Sequence, residues 1–302
     1  MDVLARYESL VDDMAAFRAA CERPLPHVVR VNTLKATVER ARRALAEADI
    51  DHEQTDWQPG LLRLADAQPG RNWPYVHGWL HGQEEVSALP ARVLDPQPGE
   101  RIWDACAAPG SKTTQLAALM EDTGLLVGTD ANIGRIAALR SNAERLGVTN
   151  LAITHENARN HSLKPVGGER YDRALVDVPC SCEGTVRKNP DTLDEWSLDH
   201  VEDIAGVQEG ILARAVQATR DGGTVVYSTC TFAPEENEAV IDAVLDREPC
   251  RLVEFESPLE SSPGVTAWRD KSFDTSLDRA KRIYPHQNDT GGFFCAKLEV
   301  AR

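Results

Sequence analysis

Lysine is scarce in this chain. Only seven of its 33 basic residues are lysine, and 48 acidic residues leave a formal charge of −15. A uniformly basic surface, the usual footprint of a phosphate-binding protein, is thereby excluded. Two readings of the surplus carboxylate stay open. Either the partner is not a polyanion, or the acid is a solvation device for a salt-rich cytoplasm, where screening lets a local arginine groove hold RNA. No run of about 18 apolar residues is present, so no membrane span is expected. The N-terminus "MDVLARYESLVDDMAAF" is acidic and amphipathic, which is wrong for a signal peptide. Among seven cysteines no CxxC pair occurs, which points to reduced thiols in a cytosolic protein without a structural metal. The phosphate loops are missing too. Walker A needs glycine where Ser111 and Cys106 stand before Lys112-Thr113, and GxGxxG does not occur.

What is present is an ordered alternation. Residues 1–90 read as a small α+β module: a helical stretch at 3–20, the extended "HVVRVNTLK", the helix "TVERARRALAEADI" and a hairpin-like region around "GLLRLAD". "QEEVSALPARVLDPQPGE" then reads as a helix ending before a Pro/Gly turn. From Arg101 onward, candidate strands "RIWDA", "LLVGTD", "LAITHE", "RALVDVP", "TVVYST" and "GFFCAKLEV" are separated by amphipathic helices. In one of these helices Ile133, Ile136, Leu139, Ala143 and Leu146 recur at helical spacing. Strands alternating with helices imply a largely parallel sheet covered on both faces, with ligands at the carboxyl ends of its strands.

Those strand ends carry chemistry. "DACAAPGSKTT" follows the first strand and opens a helix, a place where small residues let backbone approach a ligand. Asp130 ends the second strand, placed either to bind ribose hydroxyls or to cap the next helix. "DVPCSCEGT" ends the fourth strand, with Asp177 and Cys180 on one loop and Cys182 read as passive packing. Cys230 ends the fifth, as a small core residue or as a nucleophile. Two cysteines at neighbouring strand ends suit methylation of cytosine carbon 5. A thiolate adding to carbon 6 turns carbon 5 into an enamine carbon able to attack an activated methyl group.

Five segments in order, "RVNTLK" (30–35), the run 82–117, "DVPCSCEGT" (177–185), "YSTCT" with "EENE" (227–238) and "RIYPHQNDTGGFFCAKL" (282–298), resemble the RsmB/Sun family of RNA cytosine-5 methyltransferases. The resemblance implies a Rossmann-like α/β methyltransferase domain over 91–302, with a seven-stranded, mostly parallel sheet. It also makes 1–90 an RRM-like RNA-recognition module. It implies Cys230 as nucleophile, Cys180 as the residue assisting product release, and Asp177 and Lys112 as groups orienting the base. For S-adenosylmethionine it implies Cys106, Ala107, Ala108, Pro109, Gly110, Ser111, Lys112, Asp130, Arg135, Asn157 and Asp177. Three positions depart from the pattern: Ser111 and Cys182 stand where glycine is commoner, and Asn157 where aspartate meets the adenine amino group. DNA cytosine-5 methyltransferases use the "PC" cysteine as nucleophile, which makes Cys180 the rival of Cys230.

Arg187 and Lys188, in "GTVRKNPDTLDEW", are expected beside the active site as phosphate ligands. With no appended module such as a PUA domain in the chain, transfer RNA is the expected substrate and ribosomal RNA the next. The archaeal transfer-RNA-modifying members are the nearest in pattern. The arginine-rich acidity suggests a halophilic source. The enzyme is expected to act in the cytoplasm as a monomer. A non-catalytic RNA-binding or ribosome-assembly factor would have no chemical need for both thiols. A small-molecule or DNA methyltransferase would have no need for the N-terminal module.

Overall fold

The computed structural model describes residues 2–65 and 69–302. Asp66, the last residue of the "GLLRLAD" segment, lies outside them. By compactness the residues fall into two units, Pro26–Ala158 and Met1–Leu25 with Arg159–Arg302. These units differ from the expected division at residue 90.

In Pro26–Ala158, β1 (His27–Val31), β2 (His52–Gln54), β3 (Leu61–Leu64) and β4 (Leu80–Gly82) form an antiparallel sheet in the order β2-β3-β1-β4. The helix Val38–Glu47 begins where Thr37 accepts a hydrogen bond from the Arg40 amide, and buries Ala41, Ala44 and Leu45. Two of these, Ala41 and Leu45, pack with Val29, Val31, Leu62, Leu64 and Leu80. Alternation along the strands and a helical period between them thus meet in one small core.

Two polar residues of "RVNTLK", Arg30 and Asn32, are buried in this unit. Arg30 is buried and donates to Gln83 (2.7 Å) and Thr114 (3.0 Å). Asn32 donates to the carbonyls of Gly78 and Leu146, both at 2.8 Å, and Lys35 to that of Arg145 at 2.7 Å. Asn32 and Lys35 thus tie the chain internally, because they satisfy carbonyls left by nearby turns and helix ends.

The same unit holds β5 (Arg101–Asp104), β6 (Leu125–Asp130) and β7 (Leu151–His155), all parallel. The helices Ser111–Leu119 and Ile133–Leu146 connect them. Of the expected apolar stripe, Leu139, Ala143 and Leu146 are buried, whereas Ile133 in the first turn is 64 % exposed.

In the other unit, β8 (Tyr171–Asp177) and β9 (Thr219–Thr229) run parallel, joined through the helix Leu198–Ala218. The strand Phe293–Val300 pairs antiparallel with β9, and the short strands Cys250–Leu252 and Lys281–Ile283 pair antiparallel with it. The N-terminal helices contribute Tyr7 and Phe17 to an aromatic core with Phe232 and Tyr284. Phe17 meets Phe232 edge-on at 5.2 Å. Each unit thus carries part of the alternating pattern expected of a Rossmann-like methyltransferase. Among the described residues, no helix is long and apolar enough to cross a membrane.

Candidate active site

Parallel pairing sets Asp177 opposite Ser228, so β8 and β9 end together and their loops leave side by side. Ser228 donates to Asp177 Oδ1 at 2.7 Å. Beyond these ends, Cys180 Sγ lies 3.3 Å from Cys230 Sγ and 3.7 Å from Cys182 Sγ. Cys180 is buried, and Cys182 and Cys230 are partly accessible. The opening alternative for Cys230 is thereby narrowed: it is no isolated packing residue. Cys182, read as passive, belongs to the same cluster.

Close backbone approach makes the cluster possible. The Gly184 amide donates to the Cys230 carbonyl at 2.9 Å, and the Gly292 amide to the Gly184 carbonyl at 2.8 Å. A Cβ on Gly184 would stand 2.3 Å from the Gly292 oxygen and 2.7 Å from the Cys230 oxygen.

Beneath the thiols lies a buried acidic frame. Glu183 accepts from Tyr7 (2.5 Å), Trp196 (2.6 Å), Ser181 (2.6 Å) and Thr231 (2.5 Å). Glu236 accepts from the Ser181 amide (3.0 Å) and Gln208 (2.8 Å), and also contacts the Ser181 hydroxyl. A hydroxyl has one proton to give. If Ser181 donates to Glu183, its contact with Glu236 calls for a proton on that carboxyl. Burial, with the charge of Glu183, pushes Glu236 up to about 7 despite the lowering hydrogen bond from Ser181. The remaining members of "EENE" are ties as well. Asn237 accepts from Thr229 at 2.6 Å, and Glu238 pairs with the buried Arg282.

The thiols share charge unequally. Hydrogen bonds from Cys180 and then Cys230 pull Cys182 down. Cys180 is raised by its hydrogen bonds to Cys182 and Cys230 and by burial. For Cys230 the bond with Cys180 lowers the pKa, but Cys182, burial and the charge of Asp177 outweigh it and raise it. One negative charge is thus stabilised among three sulfurs, and a second is opposed.

Arg187 is not a phosphate ligand in waiting. It is buried, donating to the carbonyls of Arg23 (3.1 Å), Pro24 (2.9 Å) and Thr290 (2.9 Å) and to Asp289 (2.7 Å). Four of its five N–H donors are thus engaged within the protein, and only Lys188 of the expected pair is exposed.

The expected cofactor loop belongs to the other unit. Gly110 has φ +108°, and a Cβ there would meet Leu139 at 2.8 Å. The Ala107 amide donates to the Thr129 carbonyl at 2.8 Å, folding the loop back on β6. Asp130 is buried and accepts from the amides of Ala108 (3.2 Å) and Asn132 (2.9 Å). The helix cap is Asn132, which accepts from Gly134 and Arg135, so the capping alternative for Asp130 falls away. Arg135 contacts the Ala108 carbonyl and lies 3.5 Å from Asp130. Ser111 Oγ is 3.0 Å from His81 Nε2, while Arg145 donates to His81 Nδ1 at 2.9 Å. Burial, then Arg30 and Arg145, hold His81 neutral, down to about 3, so its Nε2–H donates to Ser111. That bond gives the serine at this glycine-favouring position a partner. Lys112 is half-buried in the first turn of its helix, and Asn157 is exposed two residues beyond β7.

These residues fit S-adenosylmethionine. Asp130 keeps lone pairs beyond its backbone contacts, and Gly110 lets the loop pack closely on Leu139 of the helix Ile133–Leu146. Sequence reasoning missed Glu183, Glu236 and His81. Each satisfies partners distant in the chain, and only the doubled acid in "EENE" hinted at them.

Residues 91–299 match the family described as 16S rRNA methyltransferase RsmB/F, and residues 7–70 its ferredoxin-like domain. The chain is 35% identical to the tRNA (cytosine(49)-C(5))-methyltransferase of Pyrococcus abyssi, across 99% of this chain and 96% of that one. It is also 35% identical to ribosomal RNA small subunit methyltransferase F of Aeromonas salmonicida, across 94% of this chain but only 60% of that one. A methyltransferase homologue from Pyrococcus horikoshii superposes with a TM-score of 0.83 at 29% identity, covering 98% of both chains. Fold, thiol pair and sequence agree that the chain belongs to the RsmB/F family of S-adenosylmethionine-dependent methyltransferases.

Proposed function

We propose that this RNA cytosine-5 methyltransferase acts on transfer RNA through a covalent bond between Cys230 and cytosine carbon 6. The observation that carries the reading is the 3.3 Å contact of Cys180 and Cys230 at adjacent strand ends. Cys230 as thiolate adds to carbon 6 of a flipped-out cytosine, making carbon 5 nucleophilic. S-adenosylmethionine, held by the 106–112 loop, Asp130, Arg135, Asn157 and Asp177, supplies an electrophilic methyl group when bound. After transfer, Cys180 assists removal of the carbon 5 proton, and the bond between Cys230 and carbon 6 breaks. Asp177 and Lys112 orient the base, and residues 1–90 form the module that docks RNA ahead of the 91–302 catalytic segment.

Transfer RNA is supported by the likeness to the Pyrococcus abyssi enzyme, which runs over 96% of that protein. The charge of −15, with arginine far in excess of lysine, supports a cytoplasm rich in salt. The test is methyl transfer from labelled S-adenosylmethionine in concentrated salt to unmodified transfer RNA and to small-subunit ribosomal RNA, with the product base identified. 5-Methylcytosine in transfer RNA is the expected result. Label confined to ribosomal RNA would redirect the substrate, and label in neither would remove the activity.

A further inference from the structure

Methyl transfer as proposed above uses two sulfurs, yet three meet beyond β8 and β9. Cys180, Cys182 and Cys230 place their sulfurs within 4.8 Å of one another, the one such group of potential metal ligands among the described residues. The third is held at a conformational cost. Cys182 has φ +64°, the left-handed region. Glycine enters that region freely, whereas residues with a Cβ are strained there. The Ser181 frame fixes it, since Glu236 takes the Ser181 amide and Glu183 its hydroxyl. A strained residue clamped from both sides beside reactive groups is a reason to look for a further role.

We propose that Cys180, Cys182 and Cys230 form a trithiolate site for a soft divalent cation of the zinc class, with water as the fourth ligand. Zinc–sulfur bonds of about 2.3 Å in a tetrahedron hold sulfurs about 3.8 Å apart. The observed 3.3 and 3.7 Å separations, with the third within 4.8 Å, approach that value. Small side-chain rotations complete it. Cys182 and Cys230 are partly accessible, so an ion has a route in. The Asp177 charge, already felt by Cys230, favours a cation. Binding forms three metal–sulfur bonds and releases to solvent whatever protons the thiols still hold. No electron changes hands. On the reading of Cys230 as nucleophile, the ion and the target base exclude one another, so the bound ion shields the thiols and silences the enzyme.

Cobalt(II) and then cadmium(II) are titrated into the reduced, full-length protein without RNA or S-adenosylmethionine. One ion per chain is expected, with a sulfur-to-cobalt charge-transfer band and the intense visible bands of a tetrahedral site. Cys182→Gly, which suits positive φ and keeps the fold, is expected to weaken binding roughly tenfold or more and remove about a third of the charge-transfer intensity. Cys182→Ser, with nearly the same volume, is expected to weaken it likewise. Cys250→Ser, outside the cluster, is expected to change neither. Wild-type affinity and intensity in Cys182→Gly, or a weak octahedral cobalt spectrum in the unaltered protein, would overturn the proposal. Because no substrate is present, an inactive methyltransferase would leave these spectra unchanged, so the two readings fail separately.

Discussion

The loops that follow β5 and β8 both end parallel strands and both carry cysteine, yet they are built by opposite means. The first is shaped by main chain: Gly110 at φ +108°, the Ala107 amide on Thr129, and one carboxylate, Asp130, collecting two amides. The second is shaped by buried side chains from far along the sequence, with Tyr7, Trp196, Ser181 and Thr231 all on Glu183. A loop of small residues folded on main-chain bonds suits a ligand that must come and go. A frame of buried acids suits thiols whose spacing must not change, because each unmade bond there leaves a desolvated group unpaired. The first loop is expected to fail in binding and the second in chemistry or folding.

The sharpest break in that comparison is Cys230→Ala. Methyl transfer is expected to fall by at least about a thousandfold, while calorimetry still registers S-adenosylmethionine. Turnover surviving in the variant would remove Cys230 as nucleophile. Next in size is Arg187→Ala, which strips four hydrogen bonds from buried or half-buried acceptors. About 2–3 kcal/mol of stability is expected to go in a denaturant titration. The neighbouring Lys188→Ala is expected to stay within about 0.5 kcal/mol of the parent and to weaken RNA binding instead. Equal stability of the two variants would contradict the assignment of Arg187 as an internal tie.

Smaller again is the effect of Asp130→Ala on the first loop, a roughly ten- to hundredfold loss of cofactor affinity with the thiol cluster intact. Unchanged affinity would place the cofactor elsewhere. A last effect concerns pH. Glu236 titrates at about 7 in the folded protein against an ordinary 4.5. Between those values the folded chain holds a proton that the unfolded chain has released, so stability falls as pH rises through the window. At about 1.4 kcal/mol per unit the whole fall is at most about 3.5 kcal/mol. Glu236→Gln is expected to flatten it, and parallel stability profiles for the two proteins would refute the shift.

Much of this was legible beforehand, and the reason is local. All six expected strands are present because apolar runs bounded by turns report burial directly. The cysteine pair was legible because both thiols end such runs. Arg187 misled because a charged residue in a polar loop looks exposed. Its acceptors, the carbonyls of Arg23, Pro24 and Thr290, are distant in sequence, and a carbonyl leaves no trace in residue type. Cys182 passed for packing because its positive φ is a property of the folded loop alone.

The account turns on which sulfur bonds the base. The most direct measurement uses Cys180→Ala with unmodified transfer RNA and S-adenosylmethionine in concentrated salt, seeking a denaturation-resistant protein–RNA band whose linked peptide is then mapped. A band joined through Cys230 is the expected result, because release is impaired while attack is not. No band, or one joined through another residue, would contradict the account.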